Sequence, residues 1–479
     1  MSSSTSACPL RFIIVGGSIA GMASALALRK AGHEVLLLEK SDGMYRSPIG
    51  IVCMPNMVRQ LIRFGLPLER LERESTICAR SDLRHGGTNA FMGRVYFAHP
   101  DIEGDLGAKV SSIQHGQLRT WLEDLAREAG AKMRFNSLVT QIDPQRASVR
   151  LSTGETLEGD IILAADGWDS IVRPVVTGEQ SDIQRTGRAG LHMTIPQDRV
   201  EKDEELRELL LGGEAAQWVV WYGNGCCVEV YSLPHVKQYS VRLHATVRTD
   251  ASIVPDWTAR RPLDASRSVT DLTADLEHFH SIVKRLIALA DAVTPMPYLK
   301  MDPLESWVHE DNKVALLGDA AFIQPSGATY TPSASIGDAE TLAALFSRLS
   351  SRTQIAPLLS AYEDIRAPHV AQHAAASAAL LTALSFPLGP AEAFSDLVSF
   401  APDAQLADAA EEDGRSARLH GIWTDFFAVC AHDEVEAAES WWRAWGGPVA
   451  DQSGAGKGKG KLVQASPDML AIPIQDQEL

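Results

Sequence analysis

Arg11-Phe12-Ile13-Ile14-Val15-Gly16-Gly17-Ser18-Ile19-Ala20-Gly21 joins five strand-forming residues to a glycine-rich turn and the start of a helix. Arg11 to Val15 reads as a buried strand. Ile19 to Ala31 then alternates small and apolar residues at helical spacing and stops at Gly32, a residue suited to a helix C-terminus. Val35 to Leu38 reads as a second buried strand, so residues 11–39 form a β-α-β unit. The turn follows G-x-G-x-x-G with Ser18 in place of the second glycine. Gly16 makes the tight turn and Gly17 continues it. Ser18 is small enough for backbone to approach a diphosphate and offers it a hydroxyl, while Gly21 lets helix and strand pack closely. The helix start at Ile19 and Ala20 presents N–H groups and a positive dipole end to that anion. Glu39 ends the second strand 23 residues after Gly16, where a ribose-binding acid is expected, and Lys40 follows it. The unit predicts a dinucleotide with an unphosphorylated ribose, and FAD and NAD both satisfy it.

The motif sits in a chain of 479 residues with 44 Lys and Arg against 61 Asp and Glu, a formal net charge of −17. That balance argues against a nucleic-acid partner, whose phosphates demand clustered Lys and Arg. With 45% apolar and 22% charged residues, the chain has the composition of a globular protein able to bury a full core. Cysteines at 8, 53, 78, 226, 227 and 430 form no CxxC pair and no zinc spacing, which reads as a reducing compartment and no metal. Met1 to Leu10 is Ser-rich without the pattern of a signal peptide. The longest weakly polar run, Ala374 to Phe386, is shorter than the ~20 residues a spanning helix needs. A cytoplasmic protein without membrane attachment is expected, as monomer or homodimer.

Ser111 to Gly130 reads as a helix with an apolar face at Leu118, Trp121, Leu122 and Leu125. Strands at Lys132–Phe135, Leu138–Ile142 and Ala147–Leu151 follow. Between about 180 and 300 the pattern changes. Gln217–Tyr222, Cys226–Leu233 and Tyr239–Val247 look like neighbouring strands of an antiparallel sheet, whose Trp218, Trp221, Tyr222, Tyr231 and Met193 suit a flat ligand. From about Pro332 the chain reads as helical to Trp445, with a glycine- and lysine-rich extension after Gly446.

Two later motifs choose between the dinucleotides. Ile161-Ile162-Leu163-Ala164-Ala165-Asp166-Gly167-Trp168-Asp169-Ser170-Ile171-Val172-Arg173 is a buried strand ending in Asp-Gly. Val314-Ala315-Leu316-Leu317-Gly318-Asp319-Ala320-Ala321 is another, ending in Gly-Asp. An aspartate at such a strand end can accept hydrogen bonds from polyol hydroxyls. Thr331-Pro332-Ser333 then reads as a helix start, with Thr331 as N-cap and Pro332 in the first position. In this order, across residues 11–340, the three motifs resemble those of the single-component FAD-dependent aromatic hydroxylases, the group of para-hydroxybenzoate and salicylate hydroxylases.

That resemblance implies an α/β fold with a discontinuous Rossmann-like FAD-binding domain on a parallel sheet (11–180 and 300–350). It also implies an interleaved antiparallel substrate domain (181–299, with parts of 70–110) and a helical C-terminal segment (351–446), between a disordered start (1–10) and a flexible tail (447–479). By the same resemblance Gly318 and Asp319 hold the ribityl chain, and Asp166 and Gly167 join flavin binding to nicotinamide docking. Arg46 reaches the cofactor, Gly50 and Ile51 lie along the ring, and the helix from Pro332 aims its positive end at the flavin. The implied reaction is an NAD(P)H- and O2-dependent hydroxylation of a phenolic or heteroaromatic substrate through a flavin hydroperoxide, with or without decarboxylation. A base on the central sheet would help deprotonate the phenol; Tyr231, then His192 and Tyr222, are the candidates. The sequence departs from the group at Phe322, where relatives carry His, and in the loop 325–332, which is poorer in glycine. It departs again at His115, which stands where an Arg is usual, with Arg119 one turn on as a replacement. These departures leave an FAD-binding protein without oxygenase activity as the alternative.

Overall fold

Runs of apolar residues without polar alternation make strands buried on both faces, and the chain has three of them far apart in sequence. The computed structural model describes residues 5–44, 47–98, 100–212, 216–223, 225–246, 276–324, 330–383 and 424–451. In chain order its strands are β1 (Arg11–Val15), β2 (Glu34–Leu38), β3 (Gly50–Cys53), β4 (Thr76–Ile77), β5 (Arg80–His85) and β6 (Phe91–Tyr96). Next come β7 (Ser111–Gln114), β8 (Lys132–Arg134), β9 (Val139–Asp143), β10 (Ser148–Leu151), β11 (Thr156–Glu158) and β12 (Ile161–Ala164). The last are β13 (Gln184–Pro196), β14 (Trp218–Tyr222), β15 (Cys227–Leu233), β16 (Gln238–Thr246), β17 (Thr294–Lys300) and β18 (Val314–Leu316). The helices that matter here are α1 (Ile19–Lys30), α2 (Pro55–Arg63), α3 (His115–Glu128), α4 (Thr331–Phe346), α5 (Ile355–Ala383) and α6 (Glu434–Asp451).

A five-stranded parallel sheet runs β18-β12-β1-β2-β8, so β12 pairs with β1 on one side and β18 on the other, and strands from far-apart segments of the chain share one sheet. The carboxyl ends of β1, β12 and β18 emerge together, at Gly16, Asp166 and Gly318, which is where open α/β sheets bind ligands.

The second sheet has seven strands in the order β17-β13-β16-β15-β14-β5-β6, antiparallel except where β14 runs parallel to β5. Strand alternation gives it two unlike faces. Val219, Trp221, Val228, Val230, Val241 and Leu243 bury one face against the helices Glu204–Leu211 and Ser281–Ala288. The opposite face carries His192, Trp218, Tyr222, Glu229, Tyr231, Ser240, Arg242 and His244 and meets β3, where the Gly50 amide donates to Ser240 Oγ at 2.8 Å.

Four expectations change. Ser111–Gln114 is a strand paired with β3 and β4, and the helix begins only at His115, because main-chain pairing overrides a pattern whose apolar face starts at Leu118. β13 is the thirteen-residue partner of β16 and β17; its exposed, polar first half hid it in the sequence. Residues 6–10 are tied to the fold, with Leu10 buried and the Ser6 amide donating to Ala31 O at 3.0 Å. Past Gly446 the chain stays helical to Asp451. None of the six cysteines forms a disulfide, and among the described residues no helix is long and apolar enough to cross a membrane.

Candidate active site

The turn after β1 is built as a phosphate cradle. Gly16 has φ +105°, and a Cβ there would lie 2.3 Å from the Ala165 carbonyl oxygen, so only glycine lets β1 and β12 end this close together. A Cβ on Gly21 would lie 2.1 Å from Gly16 O, which fixes the helix against the turn. Ser18 caps α1: its hydroxyl accepts from the Gly21 amide at 3.3 Å and donates to Ala165 O at 2.9 Å. That hydroxyl is therefore held within the turn, and the amides of the first helical turn, at Ile19 and Ala20, carry the positive end of the dipole. Glu39 accepts from the Gly17 amide at 2.6 Å and from the Ser41 amide at 2.8 Å. Lys40 beside it is exposed.

Arg119 reaches back from α3 to the same turn, donating to Gly17 O at 3.0 Å and Gly43 O at 3.2 Å. His115, at the start of α3, is pushed down to about 4 by burial and by the Arg119 guanidinium, so it is neutral near pH 7. Gly50 and Ile51 lie on β3, and a Cβ on Gly50 would sit 2.5 Å from the Ser240 Cβ. The glycine there is required by the approach of the second sheet. Arg46 and the loop 325–329 lie outside the described residues.

Beyond β12, the Asp166 carboxylate accepts from Ser170 Oγ at 2.7 Å and from the Ile171 amide at 2.9 Å, closing the turn that follows Gly167. Arg173, the last residue of that segment, donates to Gly167 O (3.3 Å), Asp319 O (2.8 Å) and Ala320 O (2.7 Å). One buried guanidinium thus ties the Asp-Gly and Gly-Asp strand ends together, a role that no local pattern announces. Asp319 opens onto a cleft lined by Gly318, Phe322, Gln324, Thr331, Ser335 and Asp338. Desolvation raises it to about 6, opposed by Arg173 and helped by Asp338. α4 begins at Thr331 with Tyr330 in the cap position and no side-chain cap. Thr331 Oγ1 instead turns to Gln324 Oε1 at 3.4 Å, and Pro332 sits in the first turn, where its missing N–H costs nothing.

Tyr231, His192 and Tyr222 all lie on the polar face of the second sheet, in three cross-strand rows. Tyr231 lies tilted against Trp218, with ring centroids 5.2 Å apart, and under the Arg242 guanidinium at 5.7 Å. Burial and the nearby Glu229 carboxylate hold its phenol well above the usual range, and burial does the same for Tyr222, so both stay protonated. His192 differs: it is 3% exposed, and neither ring nitrogen has a hydrogen-bond partner among the described residues. Beside it runs a chain spread over three strands, Tyr298 Oη to His244 Nδ1, then His244 Nε2 to Glu229 Oε2 at 2.7 Å, with Arg242 donating to the same oxygen at 3.4 Å. The two sets meet at Gly190, where a Cβ would lie 3.0 Å from His192 Nε2 and 3.2 Å from Tyr298 Oη.

Behind α4, Asp338 accepts from the Gly318 amide (2.8 Å) and from Arg366 Nε (2.8 Å), and Arg366 also donates to Glu434 Oε1 at 3.3 Å. His369, His432 and Glu434 have ligand atoms within 4.8 Å of one another, a spacing a metal ion could use. The hydrogen bonding opposes it. Arg366 can only donate, so His369 Nδ1, 2.9 Å away, accepts; the His369 proton then sits on Nε2, facing His373 Nε2 at 3.3 Å, and no ligand lone pair remains on His369.

Comparison with known proteins agrees with this geometry. The family model described as "FAD binding domain" matches residues 10–377. "FAD-dependent monooxygenase ntnJ" of Nectria sp is 30% identical over 398 residues, covering 79% of this chain and 86% of the relative. Of solved structures, CtdE in complex with FAD and a substrate superposes with TM-score 0.73 at 19% identity, over 92% of this chain and 100% of that one. A salicylate hydroxylase substrate complex gives 0.67 at 20%, over 90% and 97%. The chain belongs to the FAD binding domain family and is a flavoprotein monooxygenase.

Proposed function

We propose that the protein uses NAD(P)H and O2 to hydroxylate a phenolic or heteroaromatic substrate bound on the flavin-facing side of the seven-stranded sheet. The observation that carries this reading is His192. A fully buried imidazole without a partner is costly unless a ligand completes it. It lies on the row of Arg242 and Glu229, on the face that meets Gly50. The aromatic names borne by salicylate hydroxylase and its group support the substrate class.

The residues present fit FAD. The turn Gly16–Gly21 and the start of α1 offer amides and a dipole to a diphosphate, and no side chain fills the space a Cβ at Gly16 would need. Glu39 keeps lone pairs for ribose hydroxyls, and the Asp319 carboxylate faces the cleft at the ribityl position. Gly318, Pro332, Asp166, Gly167, His115 and Arg119 frame the remainder. When bound, FAD supplies the redox chemistry by which electrons from the nicotinamide activate O2. Overall, substrate, O2, NAD(P)H and a proton give hydroxylated substrate, NAD(P)+ and water.

The chain's own task is to raise the electron density of the ring and to keep water out. Burial and the charge on Arg242 hold the His192 pKa well below the usual value, so its ring is neutral and accepts a hydrogen bond from a phenol. Tyr298, backed by His244 and the ionised Glu229, provides a second contact and a path for the proton. Arg242 stabilises the phenolate. Tyr231 and Tyr222, being protonated, act as walls and donors rather than as bases. His192→Gln and Tyr298→Phe should retain FAD and NAD(P)H-driven flavin reduction yet lose about 10²-fold or more in product formation, the usual worth of a proton-transfer group. Equal losses in both half-reactions, or no loss, would remove this site from the mechanism.

A further inference from the structure

Residues 424–434 lie beyond the segment matched by the family model, yet they are built into the site just described. In the helical stretch 424–431, Phe426 is 6% exposed and Val429 and Cys430 are 0% exposed. All three belong to the same buried cluster as Trp218, Tyr222, Tyr231, Tyr298 and Tyr330. The buried cluster on the aromatic side of the sheet thus includes residues from outside the common domain.

The segment is held at its backbone. Asn56 Nδ2 on α2 donates to Val429 O at 3.4 Å, and Arg59 donates to Cys430 O at 2.7 Å and to His432 O at 3.1 Å. Carbonyls at the end of a helix lack intrahelical donors and carry its negative dipole end, so a guanidinium is the fitting partner. Arg63, one turn further along α2, pairs with Asp433 and with Glu340 of α4. Arg366 takes the fully buried Glu434. The Arg366 guanidinium that holds Glu434 also holds Asp338, and Asp338 holds the Gly318 amide. The covering segment is therefore keyed to the strand end at Asp319 as well as to the sheet.

The face it covers is divided. His192, Glu229, Arg242, His244 and Tyr298 make a polar end suited to an ionisable hydroxyl, while Trp218, Phe97 and Phe426 make an end that is aromatic apart from the Trp218 indole N–H. We infer that residues 424–434 form the outer wall of the substrate site, and that Phe426 sets the size of the apolar substituent the aromatic substrate carries opposite its hydroxyl. This rests on the proposed function, since it assigns the apolar end of the same site. Phe426 is specificity-determining and takes no part in proton or electron transfer.

The test uses full-length holoprotein and para-alkylphenols from methyl to hexyl, with binding read from perturbation of the bound-flavin spectrum. Wild type should show a chain length beyond which Kd rises steeply. Phe426→Ala should move that limit to longer chains, tightening the first excluded phenol about tenfold per methylene admitted, and Phe426→Trp should move it to shorter ones. Phe426→Leu, which keeps the packing volume, guards against misfolding and should give an intermediate limit. FAD content should not change. If the dependence of Kd on chain length is the same in wild type and all three variants while the flavin spectrum still responds, Phe426 is core packing and the inference is overturned with the proposed function intact. If no alkylphenol perturbs the wild-type flavin, the proposed substrate class fails and the inference falls with it.

Discussion

Asp319 shows how a single residue can oppose stability and serve binding. Its carboxyl is raised to about 6 by desolvation, so the folded protein holds that proton more tightly than the unfolded chain does. An acid raised in this way adds stability below its unfolded pKa and loses it as pH climbs through the folded value. In apoprotein, Asp319→Asn should therefore raise Tm by roughly 2–4 °C at pH 7.5 and leave it nearly unchanged at pH 4. The same change should weaken FAD binding about tenfold through loss of a charged acceptor. Calorimetry of apoprotein and flavin titration check the two halves; a variant that binds FAD as well as wild type would move the ribityl contact elsewhere. Gly16, Glu39 and Asp319 were legible in the sequence because each stands at a strand end, and Gly21 because the spacing of the turn motif carries into the first turn of α1. His192 was a candidate base from the sequence but ranked behind Tyr231, since what distinguishes it, the lack of a partner among the described residues, shows only in the fold. Tyr298, His244 and Glu229 were not legible at all: they come from three strands and meet through cross-strand register, which a sequence does not print.

At the scale of elements, the strand ends and helix starts are held to one another by buried arginines. Arg173 joins the turns after β12 and β18, and Arg366 joins α4, α5 and the start of α6 through Asp338 and Glu434. Removing one partner of a buried pair leaves charge without compensation. Arg366→Met should cost about 3–5 kcal/mol in urea unfolding at pH 7. The cost should shrink as pH falls, because burial already raises the Asp338 pKa and a proton there removes the uncompensated charge. A loss below about 1 kcal/mol at pH 7 would mean that the network is dispensable for the fold. Element types were read correctly where periodicity was strong, as in β1, α1 and β12. They were misread where pairing decides: β7 looks helical until its partners β3 and β4 are known, and the first half of β13 is too polar to look like a central strand.

Across the whole molecule, the chain is interleaved rather than serial. The parallel sheet takes strands from residues 11–38, 132–134, 161–164 and 314–316, while the seven-stranded sheet takes β5 and β6 from before residue 100 and the rest from between 184 and 300. The family resemblance carried by the three glycine and aspartate motifs implied this interleaving. The covering segment at 424–434 was visible only as apolar helix, since it is placed by contacts with α2 and α4 rather than by any pattern of its own. The −17 net charge has no structural role in this arrangement. On the proposed function, flavin at the strand ends of the parallel sheet and an aromatic ring on the polar face of the second sheet meet between the two sheets. The most direct test of that claim is to supply purified holoprotein with NADPH, a panel of phenols and heteroaromatic acids, and oxygen enriched in its heavy isotope, and to weigh the products. The account predicts a hydroxylated aromatic product carrying one heavy oxygen atom, formed with NADPH consumption that the substrate stimulates. Heavy label found only in peroxide and water, with every member of the panel returned unchanged although its binding perturbs the flavin, would contradict it.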